Sequence, residues 1–216
     1  MNIFRKIAST IISQIRSRGL ISSIAMNRSQ FFGMLRGLLY KLLYFNNIHA
    51  SLFTIQANST IEIFNKRAKV DIGNFVFIRK NVSIRLDFDG KLTLGEKVFI
   101  NDNCNINCVH KIMIGKGSKI APNVCINDHD HNYKSVDGEH LLKGEVIIGS
   151  NVWVGSNVVI LRDTYIGDNA VIAAGSVVKG NIPANTLFLN KRENKHISYK
   201  EPKSTINNLY QVKESI

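Results

Sequence analysis

The sequence predicts an all-β chain: a three-sided coil of stacked parallel strands, preceded by an α-helical segment. Three observations carry this. Aliphatic residues recur every six positions from Ile72 to Val178, a period too short for a helical repeat. They fall into triplets, and extra residues enter only between triplets. The first 50 residues lack this period and show helical spacing instead.

The helical segment comes first. Ile3, Phe4, Ile7, Ile11, Ile12 and Ile15 share one helical face, and Phe31, Leu35, Leu38, Leu39, Leu42 and Leu43 mark a second helix. No apolar run is long enough to span a bilayer, and no signal-peptide pattern is visible. Residues 1–50 hold seven basic side chains and no Asp or Glu, while the remainder carries 21 basic against 16 acidic. Two readings follow for residues 1–48. They cap the open end of the coil, which an exposed strand edge requires. Alternatively, residues 1–45 make a peripheral contact with anionic lipid at the inner membrane face of a cytoplasmic protein.

The repeat follows, in a domain expected over 49–184. Its leaders are Ile72, Ile78, Ile84; Leu94, Ile100, Ile106; Ile114, Ile120, Ile126; Ile148, Val154, Ile160; and Ile166, Ile172, Val178. Steps within a triplet are six; steps between triplets are ten, eight, twenty-two and six. Three hexads per turn make a triangular prism, so every insertion leaves at one corner. Such insertions on a solenoid build its binding face. Four residues after a leader stands a small or β-branched residue, read as inward-pointing: Val76, Val82, Val98, Cys104, Ser118, Val124, Val152, Val158, Ala170 and Ser176. Three after a leader stand Asn81, Asn103, Gly117, Asn123, Asn151, Asn157, Asn169 and Gly175, residue types that tolerate a left-handed backbone.

The longest insertion, NDHDHNYKSVDGEHLLKGE within an expected active-site loop at 127–147, holds His129, His131 and His140. Histidine accepts a proton near neutral pH, which makes it the natural general base. His140 reads as a solvated loop residue. Cys104, Cys108 and Cys125 are odd in number and form no CxxC pair, so they read as reduced thiols of a cytosolic protein. The basic excess is not interleaved with aromatics and no nucleic-acid motif is present, which argues for anionic lipid or a phosphate-bearing substrate over nucleic acid. Residues 185–216 read as a polar extension in which Lys191 and Arg192 lie within reach of a phosphate.

From 101 to 183 the chain resembles the hexapeptide-repeat, left-handed β-helix O-acetyltransferases, a group that includes the galactoside, maltose and capsular-polysaccharide enzymes. The stretches that carry the resemblance are FINDNCN, IGKGSKIAPNV, DHDHN, IGSNVWVGSNVVI and IGDNAVIAAGSVV. The left-handed winding comes from this resemblance alone. It also implies a homotrimer, acetyl-CoA as co-substrate, no metal, and a sugar or glycan acceptor in surface polysaccharide biosynthesis. A loop histidine after the APNV hexad is the family's base. Counting forward from APNV gives His131, and counting back from Trp153 gives His129; the forward count is shorter and selects His131, with His129 second. The resemblance places Asn101 and Trp153 at the acceptor, and Ser156, Ala174 and Lys179 along the coenzyme. Where relatives carry a Gly-x-Pro-Ala-like segment after the last turn, this chain has FLNKREN.

Other activities stay open on the residues. The same groove and base serve an N-acetyltransferase of an amino sugar. A zinc enzyme resembling the γ-type carbonic anhydrases would need His110, His129 and His131 to converge on one ion, against that family's spacing. A non-enzymatic scaffold in polysaccharide assembly is the third reading.

Overall fold

The computed structural model describes residues 3–133 and 140–190. Part of the expected active-site loop and most of the C-terminal extension, with Lys191 and Arg192, lie outside these residues. Short parallel strands wind into a three-sided coil behind two helices, α1 (Ile3–Arg18) and α2 (Leu20–Leu43). The first face stacks Ile48–Ala50, Lys69–Ile72, Lys91–Leu94, Lys111–Ile114 and Glu145–Ile148. The second stacks seven strands from Phe53–Ile55 to Leu187–Phe188. The third stacks Thr60–Ile63, Ser83–Leu86, Asn105–Cys108 and Cys125–Asn127. Each turn pairs in parallel register with the next, as in Ile78 with Ile100 and Ile84 with Ile106.

The hexad pattern explains the core. Every leader from Ile72 to Val178 is at most 4% exposed, and all ten small or β-branched inward positions are buried. Burying one such aliphatic side chain contributes roughly 1.5–3 kcal/mol. The eight predicted left-handed positions have φ between 56° and 71°. Asparagine there also bonds along the stack, as in Asn81 to Asn103 and Asn123 to Asn157, each 3.1 Å.

One complete turn precedes Ile72. Ala50, Ile55 and Ile61 pair with Ile72, Ile78 and Ile84. The hexad count misses it because Ala replaces a large leader and the step from Ala50 to Ile55 is five. Strands therefore run from Ile48 to Phe188.

Helix α2 closes the open edge of this first turn. The amides of Ser51 and Gln56 bond forward to Ile72 and Ile78, which turns the carbonyls of Ala50 and Ile55 outward. Lys41 Nζ reaches the Ala50 carbonyl at 2.7 Å, and Arg36 reaches that of Ile55 at 3.3 Å. The Tyr40 hydroxyl bonds the Ser59 carbonyl at 3.4 Å. Edge carbonyls that would otherwise invite another chain are thereby paired. The helix lies close because Gly33 and Gly37 face the coil. A Cβ at Gly33 would stand 2.5 Å from Thr54 Cγ2, and one at Gly37 would stand 2.7 Å from the Phe53 carbonyl oxygen.

All insertions leave at the corner between the third and first faces. At the fifth and sixth turns no insertion is present, and the strands Val159–Ile166 and Val177–Ile182 bend continuously around it.

Candidate active site

The long insertion folds back as a hairpin. His129–His131 pairs antiparallel with Leu141–Lys143, setting His129 opposite Lys143 and His131 opposite Leu141. Alternation along a strand puts His129 and His131 on one side and Asp130 on the other. Asp130 uses its side to accept from Arg162 Nε at 2.8 Å, and Arg162 also pairs with Asp163. The hairpin is thus tied to the fifth turn of the coil. Lys143 Nζ lies 4.6 Å from the centre of the Phe88 ring, which belongs to an earlier insertion at the same corner.

Both histidines line a cleft of about 250 Å³ together with Phe64, Arg85, Phe88 and Asn107. Their surroundings differ. His131 is exposed. His129 is half-buried, and its Nδ1 stands 3.0 Å from Asp128 Oδ1. Asp128 is fully buried. It accepts the Val109 amide at 2.9 and 3.0 Å on its two oxygens and the His110 amide at 2.8 Å. Burial alone would push the Asp128 carboxyl up. The bonds from His129, Val109 and His110 outweigh burial and hold it below the ordinary carboxylate value. A carboxylate fixed at Nδ1 sets the ring's orientation and favours a tautomer with Nε2 unprotonated. That is the state a proton acceptor needs.

Phe88 adds a feature that sequence reading does not single out. Its φ is 53°, a region that bulky residues rarely occupy. The Asp87 carboxylate bonds the Phe88 amide at 2.6 Å and supports the turn. Backbone held in this way costs of order 1–3 kcal/mol and clusters at functional sites. The ring, 39% exposed, forms one wall of the histidine cleft.

The remaining predicted residues divide between two parts of the coil. Lys179 follows Val178 in the strand Val177–Ile182, at the irregularity where that strand bends round the insertion corner. Asn101, Ser156 and Ala174 lie in turns between the second and third faces, a different corner of the prism. The Asn101 side-chain oxygen accepts the Asp102 amide at 2.9 Å, and the Ser156 carbonyl accepts the Gly175 amide at 2.8 Å. Trp153 is 49% exposed on the second face. Register lines it up with Phe77, Phe99, Lys119, Val171 and Leu187 in one outward row. One chain therefore does not bring these residues to His129.

Two of the three thiols are not poised for nucleophilic work. Cys104 and Cys108 are buried, and burial raises both, Cys104 to about 11. Among the described residues no group of three or more His, Cys, Asp or Glu is placed to hold a metal ion.

Comparison with known proteins agrees with this architecture. The family described as bacterial transferase hexapeptide (six repeats) matches residues 145–180. WbbJ of Escherichia coli K12, named as a lipopolysaccharide biosynthesis O-acetyl transferase, is 36% identical over 120 residues, covering 50% of this chain and 61% of its own. Galactoside O-acetyltransferase of the same organism is 33% identical over 106 residues, covering 48% of this chain and 52% of its own. The chain thus spans less than two thirds of either relative's length. Among solved structures, AntD, an N-acyltransferase from Bacillus cereus in complex with dTDP and 3-hydroxybutyryl-CoA, superposes with a TM-score of 0.54 at 17% identity. That match covers 81% of this chain and 95% of AntD, and at this identity it speaks for the fold. With its coil of three hexads per turn and the matched repeat at residues 145–180, the chain carries the bacterial transferase hexapeptide repeat and has the fold of the transferases it is similar to.

Proposed function

We propose that the protein is an acyltransferase that moves an acetyl group from acetyl-CoA to a sugar hydroxyl in surface polysaccharide biosynthesis. The observation that carries this reading is the buried Asp128 holding His129 beside the cleft at the insertion corner. The names of WbbJ and galactoside O-acetyltransferase supply the acetyl group and the sugar.

In this reading His129, not His131, is the base. An acceptor hydroxyl in the cleft gives its proton to His129 Nε2 as its oxygen attacks the acetyl carbonyl. The Asp128 carboxylate stabilises the imidazolium that forms, without itself taking the proton. His129 then returns the proton to the departing sulfur. Acetyl-CoA, as substrate, supplies the activated acyl group. Phe64 and Phe88 offer apolar walls for a sugar ring.

The outward row of Phe77, Phe99, Trp153, Val171 and Leu187 fits an apolar pantetheine arm, with Lys119 as a cation within the row. Since these residues and the Ser156 turn stand away from His129 in one chain, a neighbouring copy must bring them to the cleft. The homotrimer of the family resemblance does this. The Ser156 amide then serves as the oxyanion donor, with Ala174 beside the coenzyme, Lys179 near its phosphates, and Asn101 near the acceptor.

The test is acetyl-CoA consumption by the purified full chain against hydroxyl and amino sugars, with the product's acetyl linkage read by mass spectrometry and base lability. A base-labile ester on a sugar is the expected product. An alkali-stable amide as sole product would reassign the chain to N-acetylation. Absence of coenzyme A binding would remove it from acyl transfer altogether.

A further inference from the structure

Helix α2 packs in the reverse sense of an ordinary surface helix. Its buried residues are small: Ser23, Gly33 and Gly37. Its large apolar residues point away from the coil. Ile24, Phe31, Leu35, Leu38, Leu39 and Leu42 are each between 45% and 64% exposed. At ~100° per residue the small trio occupies an arc of about 80°, and these six occupy about 100° on the far side. Scattered exposed apolar residues are normal, but a continuous stripe of this kind marks an interaction surface.

Charge identifies the occupant. No Asp or Glu precedes Glu62, while Arg5, Lys6, Arg16, Arg18, Arg28, Arg36 and Lys41 do. Arg36 and Lys41 are engaged at the strand edge. Arg28 is exposed and lines a cleft with Ile21, Ile24 and Phe32. A second copy seated here would bring the same positive charge and no carboxylate from its own helical segment. No described helix is long and apolar enough to cross a membrane. An apolar stripe with the exposed Arg28 set within it, on a helix that does not span, suits the plane of an anionic bilayer surface.

We infer that α2 is a two-faced element: its glycine face caps the first turn of the coil, and its leucine face inserts into the interface of an anionic membrane. This stands apart from the acetyl-transfer reading, because lipid binding is measured without either substrate.

The experiment is co-sedimentation of the full chain with phosphatidylcholine vesicles and with vesicles that also contain phosphatidylglycerol. Binding to the anionic vesicles is expected, weakened by salt and at least about tenfold weaker on neutral lipid. A Leu35→Gln/Leu38→Gln/Leu42→Gln variant removes only exposed apolar groups. It should keep the parent's thermal midpoint and lose at least about tenfold in vesicle affinity. Arg16→Glu/Arg28→Glu should weaken binding to anionic vesicles alone. No sedimentation of the parent with anionic lipid, or unchanged affinity in the triple variant, overturns the inference. So does a parent that ignores vesicles but self-associates through this face, with dissociation in the triple variant.

Discussion

Two corners of the same prism are built from the same hexads and do different work. Between the second and third faces every turn is tight, and Asn81, Asn103, Asn123 and Asn157 repeat one left-handed geometry. Their amide side chains bond up the stack, so each turn supports the next. Between the third and first faces the repeat is interrupted four times, and there the buried carboxylate, the two cleft histidines and the strained Phe88 are found. Repetition supplies a rigid frame, and chemistry gathers where repetition is broken.

The contrast can be broken most sharply by stability. Asp128→Ala strands the Val109 and His110 amides and the His129 ring, and should cost about 3 kcal/mol or more in chemical denaturation. Asn123→Gly, on the regular corner, keeps the left-handed φ and should fall within about 0.5 kcal/mol of the parent. Comparable losses at the two positions would erase the distinction.

On the glycine face of α2, Gly37→Leu drives a side chain into the Phe53 carbonyl and should lower stability by about 1–3 kcal/mol. The leucine-face variant should leave stability unchanged. Equal destabilisation would mean that both faces of α2 are packed.

Acid should act through the insertion corner. The folded value of Asp128 lies below its unfolded value of 3.8, so its stabilising share is present above that pH and is lost as pH falls through the lowered folded value. Asp128→Asn should flatten this part of the acid-unfolding curve, whereas Asn123→Gly should leave it in place. An unchanged curve in Asp128→Asn would show that the carboxylate is not held as described.

The smallest effect is expected at Phe88. Phe88→Gly relieves a backbone that Gly adopts freely, so stability should rise by up to about 1 kcal/mol. The KM for the acceptor should rise severalfold while that for acetyl-CoA stays unchanged. A loss of stability would show that the ring serves packing instead of the cleft.

Much of the coil is legible in sequence because its order is local. A leader, an inward partner four later and an asparagine three later follow from the geometry of one strand and one turn. The first turn escapes where that geometry slips, at the five-residue step from Ala50 to Ile55. The site is less legible for the same reason. Counting forward from the APNV hexad, on the family resemblance, selects His131 in the DHDHN stretch, whereas the proposed base is His129. What separates them is Asp128, whose burial depends on the amides of Val109 and His110 from the preceding turn of the coil. Phe88 is hidden likewise, since no residue type announces a phenylalanine at positive φ. The two faces of α2 are visible as a helical stripe, but which face meets the coil depends on the close approach at Gly33 and Gly37.

Acetyl transfer to a sugar acceptor by His129→Ala and His131→Ala, measured side by side at saturating acetyl-CoA, tests the site most directly. His129→Ala should lose ~10²–10⁴ in kcat while still binding coenzyme A, and His131→Ala should stay within about tenfold of the parent. The reverse ranking, or near-normal turnover by His129→Ala, would contradict an Asp128-oriented base at the insertion corner.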